Sequence, residues 1–233
     1  CFIMKVKALR EKIGHTVKIE VETRTLEEVK EALSAGADII MLPYFKTANE
    51  VKKFIGYVNS RVKTCLLFET DGSFYNVDEI LAIGGIDEAY IGINDMHLCF
   101  KKEFMFELLS DGTVEYLCKK FSDKKIPYGF GGIARLKYGE VPAELIIAEH
   151  YRLGSSMAIV SRKFCQVTEK TPIDEIETIF KEGISEIREF ESTLFDKEND
   201  FFIENKKTVT EAINKVVKKR LASKIWQRNY FNI

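Results

Sequence analysis

The chain has 233 residues, a formal net charge of −1 and a hydrophobic content of 45%. Its length suits one large domain or two small ones and is near the ~250 residues typical of a (β/α)8 barrel. Because the charges balance, the composition favours neither a nucleic-acid-binding nor a membrane-binding protein. No run approaches the ~20 apolar residues of a membrane span, no signal peptide is visible, and the five cysteines form no CxxC pair. We therefore expect a cytoplasmic protein with reduced thiols.

Short apolar runs alternate with amphipathic stretches along the chain. The apolar runs predict six strands, at Val17–Glu22, Ile39–Phe45, Val62–Phe68, Ala89–Ile93, Pro127–Ile133 and Ser156–Ser161. Thr25, with Glu28 as its capping-box partner, begins the first intervening helix, and Gly36 ends it. Further helices are predicted at Thr47–Asn59, Asn76–Ile83, Phe104–Leu109, Thr113–Lys124, Pro142–Leu153 and Ile173–Phe195.

The predicted strands are apolar throughout, which indicates a parallel sheet covered by helices. We predict a modified TIM (β/α)8 barrel with extra C-terminal helices. Since a closed barrel needs eight strands, either the first two β/α units lie upstream of Cys1 or Phe2–Met4 is the tail of one of them. An open doubly wound sheet also fits the count, but no GxGxxG or P-loop pattern supports it.

The character of the chain changes after Phe195. Residues 196–207 are polar and charged, as in a linker, and Val209–Ala222 has an apolar helical face opposite basic residues. We therefore divide the chain into a barrel domain, residues 1–195, and a C-terminal segment, residues 196–233. This segment is expected to dock on its own subunit or to mediate homo-oligomerisation, in preference to binding a membrane.

Two predicted strands end abruptly in a carboxylate. Glu69 follows one strand, and Asp95 closely follows the next, about one strand–helix–strand unit later. Ligands of parallel α/β folds gather at the carboxyl ends of strands, and two carboxylates there suit a hard cation such as Mg²⁺ or Mn²⁺. The alternatives are a lysine ion pair for Glu69 and an Asx turn or helix cap for Asp95.

Motifs around these carboxylates resemble the HpcH/HpaI aldolase and citrate lyase β-subunit family. The matching segments, in order and spacing, are Ile40–Glu50, Leu66–Thr70, Asn76–Ile80 and Ile86–Leu98. The resemblance implies a modified TIM barrel that uses a divalent metal to form or cleave C–C bonds next to a pyruvate-like enolate. It implies that Glu69 and Asp95 bind the metal, that backbone amides at Asn94 and Asp95 hold the substrate carboxylate, and that Gly92 helps to shape that pocket.

The chain departs from this family at several positions. Leu67 stands where many of its aldolases have Gln, and the strand that usually carries an Arg offers Lys18 as a partner for the keto oxygen, or Glu20, which would weaken anion binding. His97 is a candidate proton carrier because it lies two residues after Asp95. Arg135 is a candidate for binding a distal carboxylate or phosphate, or a surface ion pair, as is Arg162.

A second resemblance is to quinolinate phosphoribosyltransferase. The matching segments are Gly14–Glu22, Leu26–Glu28 and Gly36–Leu42. That family needs an acidic residue directly after Met-Leu, where this chain has Pro43, and the match is expected to end near residue 42. We interpret it as a shared barrel repeat.

The residues and the first resemblance together predict a metal-dependent class II aldolase that acts on a 2-oxo acid. One alternative is a citrate-lyase-like acyl-CoA lyase. The other is a non-catalytic barrel that binds a metal or ligand.

Overall fold

The computed structural model describes residues 18–161, Phe164 and residues 171–231, with the backbone alone at residues 173 and 226–231. The predictions for Phe2–Met4 and Arg162 lie outside the described residues. The strands are β1 Glu20–Glu22, β2 Ile39–Leu42, β3 Lys63–Phe68, β4 Glu88–Ile91, β5 Tyr128–Ile133 and β6 Met157–Val160. Each of the six predicted strands therefore exists, and all six are shorter than predicted.

The six strands form one parallel sheet in the order β1-β2-β3-β4-β5-β6. This sequential order has no point at which the strand order reverses, so the doubly wound alternative is wrong. Because β-α-β crossovers are right-handed, the connecting helices cover one face of such a sheet. The described chain is thus a six-stranded parallel half-barrel of the TIM type.

The two faces of the sheet have separate apolar clusters. Toward the helices, the ring of Phe68 packs against Phe45 and Phe121, with centroids 5.0 and 4.9 Å apart. On the opposite face, which is the inner face of the half-barrel, a smaller cluster consists of Ile39, Met41, Cys65, Leu67 and Tyr90. Alternate residues of a strand point to opposite faces, which is why Leu67 and Phe68 belong to different clusters.

Ten helices lie in the described part of the chain. They are α1 Leu26–Ser34, α2 Ala48–Val58, α3 Asp71–Tyr75, α4 Val77–Leu81, α5 Ile93–Cys99, α6 Glu107–Ser110, α7 Thr113–Asp123, α8 Ala143–Arg152, α9 Ile173–Ser192 and α10 Asn199–Phe231. The predicted capping box of Thr25 and Glu28 is confirmed, and Gly36 follows α1 with a φ of 84°. The sequence pattern predicted neither α3, which begins three residues after the end of β3, nor α5, which begins two residues after the end of β4.

The C-terminal segment differs from its prediction, since α10 begins at Asn199, inside the stretch that reads as a linker. Val209 and Ile213 of α10 are buried against the domain. The Asn205 Nδ2 donates to the Leu145 carbonyl at 3.1 Å and to Glu149 Oε1 at 2.9 Å. The helix therefore docks on its own subunit, along α8.

No helix in the described part of the chain is both long enough and apolar enough to cross a membrane.

Candidate functional site

The carboxylates of Glu69 and Asp95 lie at the same edge of the sheet. Strand β3 ends at Phe68, which pairs with Ile91, the last residue of β4. Glu69 follows β3 directly and is 3% exposed, while Asp95 lies in the first turn of α5, which follows β4 after Gly92 alone. The parallel register therefore brings together the two residues that the sequence singled out.

Tyr44 contacts both carboxylates. Its backbone N–H donates to Glu69 Oε1 at 2.9 Å, and its hydroxyl donates to Asp95 Oδ1 at 3.3 Å. Tyr44 follows β2 with a φ of 53°, in the left-handed region that a non-glycine residue seldom adopts. In this conformation the backbone N–H and the side-chain hydroxyl of one residue each donate to a different acid.

The site holds more negative than positive charge. The pKa of Glu69 is raised to about 7, first by burial and also by the charges of Asp95 and Glu22, while the Tyr44 amide hydrogen bond and the charge of Arg24 act to lower it. The charges of Asp95 and then Glu69 also raise the pKa of Tyr44, so its hydroxyl stays protonated. Such a pair of acids is stabilised by a cation placed between them.

A cavity of about 580 Å³ opens beside these acids. Glu22, Tyr44, Glu69 and Asp95 line its polar end. Its other end is mostly apolar and holds one acid, Glu140; its apolar lining residues are Phe104, Met105, Phe106, Ala134, Val141, Ala143, Ile146, Ile159 and Val160. An apolar cavity with a few convergent polar groups is the usual form of a small-molecule site.

Glycines on β5 and beside it let bulky side chains approach the backbone. A Cβ on Gly129 would stand 2.2 Å from the Met157 carbonyl oxygen and 2.8 Å from a ring carbon of Tyr90. The Tyr90 hydroxyl donates to the Gly131 carbonyl and accepts from the Ile159 N–H at 2.7 Å. The glycine-rich strand thus accommodates close packing within the protein at Gly129, while Gly131 lines the cavity.

Of the other predicted site residues, Gly92 and Asn94 line the cavity. Lys18 is exposed and precedes β1, at the edge of the sheet opposite the acids. The cation that acts on Glu69 is instead Arg24, two residues past the end of β1, whose guanidinium carbon lies 4.5 Å from the centroid of the Tyr44 ring. Its position just after a strand is the signal that sequence reasoning could have used.

His97 and Arg135 lie apart from the described lining of the cavity. The His97 Nδ1 contacts the Asn94 carbonyl oxygen within α5. The Arg135 guanidinium donates from Nε and Nη2 to the two carboxylate oxygens of Glu186 at 3.0 and 2.9 Å. Of the two roles considered for Arg135, this geometry fits the surface ion pair and not the binding of a substrate anion.

The donor set at the acids suits an open metal site. Among the described residues no group of three or more His, Cys, Asp or Glu side chains is arranged to hold a metal. The pair Glu69 and Asp95 would therefore leave most positions of a bound Mg²⁺ or Mn²⁺ to water and substrate, which is how Mg²⁺ is commonly held. The residues present fit such an ion, because the pair is acidic and the charge of Arg24 offsets only part of it.

In sequence, the first part of the chain is similar to phosphoribosyltransferases. A family model described as quinolinate phosphoribosyl transferase, C-terminal domain, matches residues 3–93. The probable carboxylating nicotinate-nucleotide pyrophosphorylase of Bacillus subtilis (strain 168) is 31% identical over 114 residues, covering 48% of this chain and 37% of that protein. The chain thus spans little more than a third of that relative's length. The prediction that this resemblance ends near residue 42 is wrong.

In structure, the chain is similar to HpcH/HpaI proteins. An HpcH/HpaI aldolase/citrate lyase family protein from Burkholderia cenocepacia J2315 aligns with a TM-score of 0.58 and 14% identity, covering 80% of each chain. An HpcH/HpaI aldolase from Desulfitobacterium hafniense DCB-2 aligns with a TM-score of 0.53 and 14% identity, covering 81% of this chain and 79% of that chain. These solved structures carry the family name that the motifs suggested, and at this identity the likeness is one of fold.

Proposed function

We propose that this protein is a carbon–carbon lyase of the HpcH/HpaI type, a metal-dependent class II aldolase acting on a 2-oxo acid. The observation that carries the proposal is the pair Glu69 and Asp95, joined by Tyr44 at the acidic end of an apolar cavity. The motif resemblance around both acids and the fold of the neighbouring solved structures support it.

Glu69 and Asp95 would hold the divalent cation. When bound, Mg²⁺ or Mn²⁺ supplies Lewis acidity to the carboxylate and keto oxygens of a 2-oxo acid and so stabilises the charge of an enolate. The chain's own contribution is to orient both acids. The Tyr44 amide holds Glu69, and its hydroxyl holds Asp95.

Other groups of the chain would orient the substrate. The amides of Asn94 and Asp95 belong to the first turn of α5, where a helix supplies no acceptor of its own, and they point to a role in binding the substrate carboxylate. Arg24 would take the place proposed for Lys18 as the cation near the keto oxygen. The protonated Tyr44 hydroxyl, rather than His97, is the proton-bearing group in contact with the acids.

Calorimetry with Mn²⁺, in the presence and absence of oxalate as an enolate mimic, tests this proposal. We expect Mn²⁺ to bind, oxalate to tighten its binding, and Glu69→Gln to lose both effects. Glu88→Gln is the matched control, because Glu88 is also a carboxylate of the sheet but pairs with Lys63 at the opposite edge, 2.8 Å away. If the wild-type protein binds no Mn²⁺, the aldolase assignment is wrong and a non-catalytic barrel is the better account.

A retro-aldol assay on a panel of 4-hydroxy-2-oxo acids then separates an aldolase from a metal-binding barrel without activity. The same panel with an acyl-CoA substrate added tests the citrate-lyase-like alternative. Activity only with the CoA thioester would favour that alternative.

Phosphoribosyl transfer is the second candidate, because the sequence match over residues 3–93 favours it. The charged residues in the described lining of the cavity are Glu22, Glu69, Asp95 and Glu140, which repel a pyrophosphate group unless a metal neutralises them. Binding of inorganic pyrophosphate with Mg²⁺ decides between the two. Pyrophosphate binding tighter than oxalate binding, and lost in Glu69→Gln, would favour the transferase.

A further inference from the structure

The apolar end of the cavity is built from two chain segments on either side of α7 and β5. One runs through Phe104 and Phe106, whose rings pack edge to face with centroids 5.3 Å apart. The other runs through Glu140 and Val141, just before α8. They are 34 or more positions apart in sequence, so a tertiary contact must set the distance between them.

Arg220 of the C-terminal helix supplies that contact. Its guanidinium pairs with the Glu140 carboxylate, its Nη1 donates to the Glu103 carbonyl at 3.0 Å, and its carbon Cζ lies 4.4 Å from the centroid of the Phe104 ring. One side chain therefore contacts both segments. Lys224, one turn further along α10, adds a pair with the Glu103 carboxylate.

Only a guanidinium meets all three contacts together. It is planar, it has several donors directed into a fork, and its face stacks on an aromatic ring. A lysine at the same position has an ammonium group, which lacks both the planar face that stacks on Phe104 and the fixed fork of donors that reaches Glu140 and Glu103 at once. The contact is thus specific in its chemistry as well as in its position.

We propose that these two segments form a subsite for an uncharged, apolar group of the substrate, and that Arg220 is the positioning residue that sets its width. The inference rests on the proposed function, because the acids Glu69 and Asp95 fix the 2-oxo-acid end of the substrate at the other end of the cavity. It adds to the proposed function the chemical class of the substrate's other end, an uncharged and apolar group. It also gives the C-terminal helix a role in the site.

The charges of the described cavity lining favour an apolar group over an anionic one. Glu140 at this end is already paired with Arg220, and Arg135 is bound to Glu186 outside the cavity. Phe104, Phe106 and Val141 are each more than nine-tenths buried and still line the cavity. An aliphatic or aryl substituent there would gain the contacts that these side chains offer, whereas a carboxylate would lose its hydration and meet no cationic side chain in the described lining.

Binding of oxalate-like probes that share one chelating end tests the class of the substituent. With Mn²⁺ present, we expect N-benzyloxamate to bind about tenfold more tightly than oxamate, and N-oxalylglycine, which has an anionic tail, to bind no more tightly than oxamate. If N-oxalylglycine binds more tightly than N-benzyloxamate, the subsite is anion-binding and the inference is wrong. If oxalate itself does not bind, the proposed function fails and the inference fails with it.

Variants of α10 test the positioning role. Arg220→Ala is expected to abolish most of the preference for N-benzyloxamate over oxamate while leaving oxalate affinity unchanged, and Arg220→Lys to restore part of it. Lys206→Ala is the matched control, because Lys206 also anchors α10 by an ion pair, to Glu115 at 2.6 Å, away from the cavity lining.

Glu140→Gln removes the same ion pair from the other side, at a partly exposed residue where loss of the fold is not expected. It should reduce the preference as Arg220→Ala does. The positioning role would be overturned if wild type, Arg220→Ala and Glu140→Gln all had the same preference for N-benzyloxamate over oxamate. It would also be overturned if Arg220→Ala and Lys206→Ala lost this preference to the same extent.

Discussion

Glu69 packs directly against the backbone of Gly92. A Cβ added to Gly92 would stand 2.8 Å from the Glu69 Cβ and 2.9 Å from Glu69 Oε2, closer than real Cβ atoms come to such neighbours. The glycine after β4 therefore leaves the space that the Glu69 carboxylate occupies. This close approach joins two residues that the sequence assigned to the site for separate reasons.

Replacing Gly92 by alanine should displace the Glu69 carboxylate while the fold remains. We expect Gly92→Ala to weaken Mn²⁺ binding about tenfold or more in calorimetry, because the side chain that would hold the metal must shift. Gly84→Ala is the control, since a Cβ there meets nothing within 4 Å. Equal Mn²⁺ affinities of the two variants would show that Glu69 is not a ligand in the position seen here.

Removing the charge of Glu69 should stabilise the metal-free protein at high pH. Burial raises the pKa of Glu69 from 4.5 to about 7, so the folded protein binds this proton more tightly than the unfolded chain does. The acid therefore costs stability as the pH rises through this window, up to ~3 kcal/mol above pH 7. In chelator, urea unfolding should find Glu69→Gln more stable than wild type at pH 8 and about equal at pH 4.5. A difference that does not change with pH would contradict this prediction.

The buried, neutral His150 should make the protein less stable as the pH falls, whereas Glu69 makes it less stable as the pH rises. Burial lowers the pKa of this histidine to about 3, and its ring stacks on Phe130 with centroids 3.7 Å apart. The stabilisation is complete above pH 6.5, where the unfolded chain is also neutral, and is lost as the pH falls toward 3, by at most ~1.4 kcal/mol per pH unit. Relative to His150→Phe, wild type should lose stability between pH 6.5 and 4 in urea unfolding. Parallel profiles of the two proteins would exclude a buried neutral histidine.

Glu149 should be one of the most sensitive positions of the helical layer. Its buried carboxylate accepts from Arg152 Nε at 2.9 Å and from the Asn205 amide of α10 at 2.9 Å. Glu149→Ala leaves Arg152 and Asn205 without this partner in the interior, and we expect a loss of about 3 kcal/mol of unfolding free energy. Glu204→Ala on α10 removes an exposed pair with Lys207 and should cost less than ~0.5 kcal/mol. If both variants lost similar amounts of unfolding free energy, burial of the Glu149 carboxylate would not add to the cost of removing it.

Sequence reasoning predicted the local elements well where the signal is local. Thr25 with Glu28 and Thr47 with Glu50 both form capping boxes, and helices begin at these residues as the pattern indicates. The strand ends at Glu69 and before Asp95 were also predictable. A change from apolar residues to an acid marks the point where a buried strand ends and solvent-accessible residues begin. Residues 199–207 did not read as a helix, because their helical state depends on contacts with a distant element, such as that of Asn205 with Glu149.

The partners of the site could not be predicted in the same way. Lys18 and Arg24 lie six positions apart around one short strand, and only the direction of β1 shows that Arg24 is at the edge of the acids. Arg135 is a cation after a strand, as expected of an anion-binding residue, yet its partner Glu186 comes from α9. The left-handed conformation of Tyr44 has no signal in the sequence.

The sequence by itself determined the alternation of strands and helices, the parallel sheet and the two acids at its carboxyl edge, because periodicity and strand ends are properties of neighbouring residues. The tertiary structure decided which groups contact those acids and which apolar residues line the rest of the cavity. Tyr44, Arg24 and Gly92 approach Glu69 from three different strand ends, and Arg220 joins two segments from the far end of the chain. Such contacts depend on register and on packing between distant elements, and no local pattern encodes them.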